Sequence, residues 1–169
     1  ELKKNYYLES REWNYKNIEP KIIVEEVLQD KKNKSLIDYK LLCFNGVVKL
    51  IFVELGIALP DGSHNPCSTR NVYSRDFDFL DIQVGRKNFD PNLVSKPKNF
   101  DKMIEYAEVL SEPFPHCRVD LYNIDGKIYF GELTFYHGGG CQKITPEKWN
   151  FIMGEWINLK SKKIVCGMK

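Results

Sequence analysis

An α+β fold built on an antiparallel sheet is what this sequence predicts, and three observations predict it. Two apolar runs meet at Asn45-Gly46, the strongest short-range signal for a hairpin. A second hairpin is read in "RVDLYNIDGKIYFGELTF" (118–135). Between them lies one amphipathic helical stretch, "NFDKMIEYAEVLSE" (99–112). Strands, then a helix, then a hairpin and a further helix make an α+β order with antiparallel pairing.

The elements follow in chain order. "PKIIVEEVL" (20–28) is rich in β-branched residues and opens on Pro20, which a strand start tolerates. "DKKNKS" (30–35) reads as a charged turn. "IDYKLLCFNGVVKLIFVEL" (37–55) is the first hairpin, and its strands hold so few polar residues that both faces are expected to be covered. From 56 to 97 the pattern weakens: Pro60-Asp61-Gly62 marks a turn, and "SHNPCSTRNVYSRDFDF" is polar with scattered aromatics. A long, partly ordered connection is expected there, of the kind that is often functional or mobile. In the helix that follows, Asn99 is the expected N-cap, Phe100, Met103, Ile104, Ala107 and Leu110 share one face, and Pro113 ends it. A last helix begins after Pro146, with Trp149, Ile152, Met153, Trp156 and Ile157 as its apolar stripe; the final ten residues are basic and expected to fray.

Composition narrows the function. The chain has 169 residues and 43% apolar content, enough for one domain with a real core. A net charge of +2 is too small to argue for nucleic acid or an anionic membrane. No apolar run reaches the length of a membrane span, and no signal peptide is read. Five widely spaced cysteines without a C-x-x-C pair fit free thiols in a reducing cytoplasm. The chain opens on Glu1 and reads as a piece of a longer protein.

The second hairpin carries the chemistry. A three-residue loop, Ile124-Asp125-Gly126, pairs Asn123 with Lys127, Arg118 with Glu132 and Asp120 with Phe130. Side chains alternate along a strand, so Arg118, Asp120, Glu132 and Thr134 share one face and Val119, Leu121, Leu133 and Phe135 the other. A two- or four-residue loop would put Asp120 and Glu132 on opposite faces. Asp120 and Glu132 become diagonal neighbours about 7–8 Å apart, close enough to share a cation. Two carboxylates completed by substrate phosphates are how Mg²⁺ is usually held. An ordinary amphipathic hairpin with an Arg118–Glu132 surface ion pair accounts for the same residues.

Taken together, "PKIIVEEVL", "DYKLLCFNG", "RVDLY" and "GKIYFGELTF" resemble the TupA-like ATP-grasp family, over about 11–159. The resemblance implies an ATP-grasp-type antiparallel sheet with packed helices, in one domain over 1–169 with a basic tail at 160–169. It implies only the C-terminal portion of the usual enzyme, without its N-terminal subdomains, phosphate-binding lysine or glycine-rich flap. Glu25 then lies at the adenine edge, the Glu26 carbonyl and Leu28 amide make backbone contacts, and Asp38 meets the ribose hydroxyls. Asp120, Glu132 and Thr134 are the implied metal ligands, with threonine where the family has asparagine. Arg118 is implied to stabilise the transferring phosphoryl group, with Lys40 and Arg70 as further anion partners. The implied cofactors are ATP and Mg²⁺. The implied activity is carboxylate–amine ligation through an acylphosphate in teichuronopeptide or other bacterial surface-polysaccharide synthesis. Its partners would be a carboxylate-bearing sugar or peptide acceptor, an amine and a glycosyltransferase. This fragment alone is expected to bind nucleotide weakly and turn over poorly. Two alternatives stay open: a non-catalytic nucleotide-binding module partnering a glycosyltransferase, and a metal-dependent nuclease.

Overall fold

The computed structural model describes residues 5–30, 36–59 and 61–160. Most of the expected turn at 30–35, Pro60 and the basic tail beyond 160 lie outside the described residues. The Gly62 amide donates to the Leu59 carbonyl at 2.9 Å.

A six-stranded sheet organises the chain, in the order β4-β3-β2-β1-β6-β7, and every recorded pairing is antiparallel. Its first hairpin is β1 (Ile37–Phe44) and β2 (Val47–Leu55). They join at Asn45-Gly46, where both residues have positive φ, the backbone of a type I′ turn that matches strand twist. The sequence-predicted α+β sheet is therefore present, and β1 and β2 occupy its centre.

Each face of the sheet has its own core. On one, Tyr39, Leu41, Cys43, Ile51, Val53, Val119 and Leu121 pack under α2 (Phe100–Ser111), the next α-helix after the short α1 (Tyr6–Ser10), and α2 contributes Phe100, Met103, Ile104 and Ala107. On the other, Leu42, Phe44, Leu50, Phe52 and Val72 meet Ile82, Val84 and Met153, with Trp149 and Trp156 packed alongside. A bulge between Leu42 and Cys43 shifts the register by one, so Val48 and Leu50 serve different cores although both have even numbers. Met153 and Trp149 lie on α3 (Lys148–Glu155); Trp156 caps it, and Ile157, expected in its stripe, lies beyond it and is exposed.

Four further expectations are corrected. The segment 18–30 forms no strand; Ile22, Ile23, Val24 and Val27 stay exposed, because β propensity alone stabilises nothing without a neighbouring strand. The stretch 56–97 is better ordered than expected. It holds β3 (Thr69–Ser74), β4 (Phe79–Leu80) and β5 (Gln83–Val84), the last paired with β8 (Ile144–Thr145). Its polar residues hid β3: Asn71 is buried, but its side chain exchanges hydrogen bonds with the Phe89 backbone at 3.1 and 3.0 Å. Asn99 holds the N-cap position of α2 as expected, although its side chain makes no capping bond and donates instead to the Gly126 carbonyl at 2.8 Å. Leu110 is exposed, and Ser111 takes a buried place on the helix.

The fourth correction concerns β6 (His116–Ile124) and β7 (Lys127–Thr134). Their loop has two residues, Asp125-Gly126, both at positive φ. That register alone would send Asp120 and Glu132 to opposite faces. A bulge restores them: Leu121 pairs with Phe130, Gly131 is passed over, and Asp120 pairs directly with Glu132 and Arg118 with Thr134. A Cβ at Gly131 would sit 3.1 Å from the Asp120 carbonyl oxygen, tighter than most side-chain contacts, so glycine lets the two strands meet at the bulge without crowding.

Candidate functional site

The register lays polar side chains out as rows across one face of the sheet, the face covered elsewhere by α3. One row runs Arg70, Glu54, Asp38, Tyr122 and Tyr129 over β3, β2, β1, β6 and β7. The next runs Val72, Phe52, Lys40, Asp120 and Glu132, and a third brings Leu42, Arg118 and Thr134 into line. Polar groups cannot occupy such a buried floor unless each finds a partner, and here they pair with one another.

Asp120 is the centre. Arg118 binds it in bidentate fashion, with Nε 2.7 Å from Oδ1 and Nη2 2.7 Å from Oδ2. Lys40 Nζ donates to Oδ2 at 2.7 Å and also lies 3.8 Å from Asp38 and 3.9 Å from Glu54. Arg118 Nη2 reaches Glu132 Oε1 at 3.0 Å and the Thr134 hydroxyl at 2.9 Å, and that hydroxyl lies 3.1 Å from the same Glu132 oxygen. Burial works against the Arg118 charge, but the hydrogen bonds and charges of Asp120, Glu132 and Glu54 outweigh it and raise its pKa. Burial likewise raises Asp38 despite the opposing pull of Lys40. Burial also pushes the Tyr122 hydroxyl, bonded to Asp38, up to about 12.

These contacts test whether a divalent cation suits the site. One guanidinium nitrogen stands 2.7 Å from an Asp120 oxygen and 3.0 Å from a Glu132 oxygen, so both carboxylates already converge on one cationic centre. Two carboxylates with an adjacent hydroxyl form a hard oxygen set of the kind Mg²⁺ takes when phosphates complete its shell. The donors fit. No group of three or more His, Cys, Asp or Glu suited to a metal occurs among the described residues, so the chain's own share is this pair with Thr134.

Of the residues expected at the nucleotide, Glu26 and Leu28 line a cleft of about 400 Å³ with Val27, Gln29, Ile124, Lys127 and Tyr129. Glu25 is exposed and outside that lining. The cleft sits at the turn end of the β6–β7 hairpin, and Tyr129 carries its wall into the row that holds Tyr122 and Asp38. Arg70, expected as an anion partner, is 4% exposed and bound. Its Nε and Nη2 both meet Glu54 Oε1, and its Nη1 donates to the Val84 carbonyl at 2.9 Å. Burial lowers its pKa, outweighing the pull of Glu54.

Glu54 and Arg86 escaped the sequence reading. Glu54 is 1% exposed, and the one signal for it was a lone charge in the apolar run "KLIFVEL". Arg86 lies in the irregular stretch, where nothing marks its Nη1 as bound to Glu54 at 2.6 Å. "HGGG" (137–140) takes a left-handed course with three positive-φ glycines. Local bonds close it: the Gly139 amide donates to the Tyr136 carbonyl, and the amide of Cys141, just beyond, donates to that of Gly138. A Cβ on Gly138 would fall 2.2 Å from the Gln142 side chain, so the loop instead lays Gln142 3.4 Å from Arg70.

No helix among the described residues is long and apolar enough to cross a membrane. No curated protein and no solved structure matches the chain. A family profile described as TupA-like ATPgrasp matches residues 1–158. With that match over nearly the whole chain and the six-stranded antiparallel sheet beneath the site, the chain belongs to the TupA-like ATP-grasp family.

Proposed function

We propose that this chain carries the ATP- and Mg²⁺-binding floor of a carboxylate–amine ligase in bacterial surface-polysaccharide or teichuronopeptide synthesis. Family membership implies ATP binding and ligase-type chemistry. One geometric fact supports the site most: a single Arg118 nitrogen touches both Asp120 and Glu132.

The cleft beside 26–29 is the place for the base, between the half-buried Leu28 and the Tyr129 ring. The Glu26 carbonyl and Leu28 amide serve its polar edge, and Glu25 stands next to it in the chain. Asp38 takes the ribose hydroxyls. Asp120 and Glu132, with the Thr134 hydroxyl, would hold Mg²⁺, which when bound supplies charge neutralisation across the phosphates. Lys40 meets phosphate oxygens, and Arg70 acts from beneath by holding Glu54. Arg118 stabilises the negative charge that grows on the transferring phosphoryl group. An oxygen of the acceptor carboxylate attacks the γ-phosphorus, the bond to the ADP oxygen breaks, and an acylphosphate forms. An amine then attacks the acyl carbon, phosphate leaves with the bonding pair, and the amine proton passes to solvent or base. The acceptor is a carboxylate-bearing sugar or peptide, delivered by or to a glycosyltransferase.

Thermal unfolding with and without Mg²⁺-ATP tests the site. Wild type should gain stability, and Asp120→Asn and Glu132→Gln should lose most of that gain; an undiminished gain in both would sink the metal assignment. One observation favours a second reading, a nucleotide-binding module without turnover: Thr134, a weaker ligand than an amide, stands beside Glu132. Nucleotide binding without ADP release in the presence of carboxylate acceptors would select that reading.

A further inference from the structure

Glu54 is a carboxylate with 1% exposure, taken fully out of water. Burying it is costly unless the geometry of its partners is good. Arg70, itself 4% exposed, meets that need with two nitrogens on one oxygen. The pair is neutral and complete, and a fold that required only stability could stop there. Yet Arg86 adds Nη1 to the same oxygen at 2.6 Å, and Lys40 stands 3.9 Å from the other. One buried anion thus gathers three cations, two more than it neutralises. Arg70 is the enclosed member. Lys40 and Arg86 are the outer ones, with side chains 12% and 23% exposed, at opposite ends of the Glu54 carboxylate. Asp38 and Asp120 balance Lys40 from β1 and β6. Arg86 has no second carboxylate among its recorded partners; its Nη2 meets the His64 ring at Nε2, 3.0 Å away, a partner without negative charge that an anion outcompetes.

We infer that Glu54 is the positioning residue of an anion cradle whose working cations are Lys40 and Arg86, and that the cradle grips the polyphosphate end of a nucleotide. The identification of the anion as a nucleotide's phosphates rests on the reading above; the cradle itself rests on the Glu54 geometry. Lys40 stands directly across from Asp120 in the register, so phosphates held there lie beside the two carboxylates of the proposed metal pair. Arg86 approaches the same floor from the β2–β3 side and extends the grip beyond what Lys40 reaches. A compact ammonium and a forked guanidinium held by one carboxylate suit neighbouring phosphate oxygens. Glu54 itself does not touch the anion; it fixes two rotamer-rich side chains before binding and so lowers the ordering cost at that moment.

Calorimetric titration of the chain with ATP, ADP, AMP and inorganic tripolyphosphate tests this, comparing wild type with Glu54→Gln, Arg86→Gln and Arg86→Lys. Loss of one charge-assisted contact should weaken ATP and tripolyphosphate about tenfold in Arg86→Gln, leave AMP within about twofold, and be partly recovered in Arg86→Lys. Glu54→Gln should show the same preference for phosphate-rich ligands. Equal losses for AMP and ATP, or none in Arg86→Gln, would overturn the cradle, and the partly exposed Arg86 decides the matter if Glu54→Gln fails to fold. Arg86-dependent tripolyphosphate binding without ATP binding would remove the nucleotide reading and keep the cradle. ATP binding indifferent to Arg86 would do the reverse, and a wild type that binds neither ligand defeats both.

Discussion

Asp120 and Glu132 face one guanidinium from very different surroundings. The Asp120 side chain is 8% exposed and the Glu132 side chain 63%. Asp120→Asn leaves Arg118 and Lys40 short of a buried partner, which should cost about 3 kcal/mol or more. Glu132→Gln removes a solvated contact and should cost less than about 1 kcal/mol. Urea denaturation of the two variants without nucleotide checks the contrast; equal losses would mean the carboxylates share one environment. His137 gives a pH signature at the same scale. Burial, then the charges of His116, Arg118 and Arg70, hold its pKa down at about 4 against a contrary hydrogen bond with Gln142. The unfolded chain takes up that proton near 6.5, so between about 6.5 and 4 the unfolded state binds more protons and stability falls as pH falls. Burial lowers His116 as well, which adds in the same direction. His137→Phe should flatten the decline in urea midpoint between pH 7 and 4.5, and an unchanged slope would show that other groups cause it. That Arg118, Asp120, Glu132 and Thr134 share one face was legible from strand alternation, but which of them stand opposite one another was not, because the bulge at Gly131 sets that. Glu54 was not, because a single acid in an apolar run does not reveal which cations from distant segments reach it.

At the scale of elements, the β6–β7 hairpin shows how a correct face can follow from a wrong turn. Asp-Gly favours a two-residue turn, while the apolar pattern demands that Asp120 and Glu132 share a face; a three-residue loop reconciles the two on paper. The molecule reconciles them at Gly131, five residues past the loop, through a bulge that no short-range pattern announces. Gly131→Val should clash with the Asp120 carbonyl and cost about 1–3 kcal/mol. Deletion of Gly131 removes the bulge and sets Glu132 directly after Phe130, so strand alternation still places Glu132 opposite Asp120 and Thr134 opposite Arg118. Mg²⁺-ATP stabilisation should therefore survive the deletion, and its loss would show that the bulge itself shapes the site. The hairpin at Asn45-Gly46 and α2 were legible because local chemistry fixes each of them. The run at 20–28 was not, since a strand is made by its neighbour, and β3 was hidden because Arg70 and Asn71 are buried with partners far away in sequence.

On the scale of the whole molecule, the sheet separates stability from chemistry. The face under α2 is closed by apolar side chains, whereas the other is apolar beneath α3 and ionic beyond it. Ile51→Ala, at a fully buried position on the α2 side, should cost about 2–5 kcal/mol yet leave the ratio of ATP to AMP affinity unchanged. Calorimetry at a temperature where the variant is folded checks both halves, and a changed ratio would show the two faces to be coupled. A last consequence belongs to Arg118. By spanning both carboxylates, this side chain serves as a built-in counter-ion, and the floor has no electrostatic debt when metal is withheld. Treatment with EDTA should therefore leave the melting temperature of the nucleotide-free chain where it was. A drop on chelation would reveal that the fold itself leans on a bound cation.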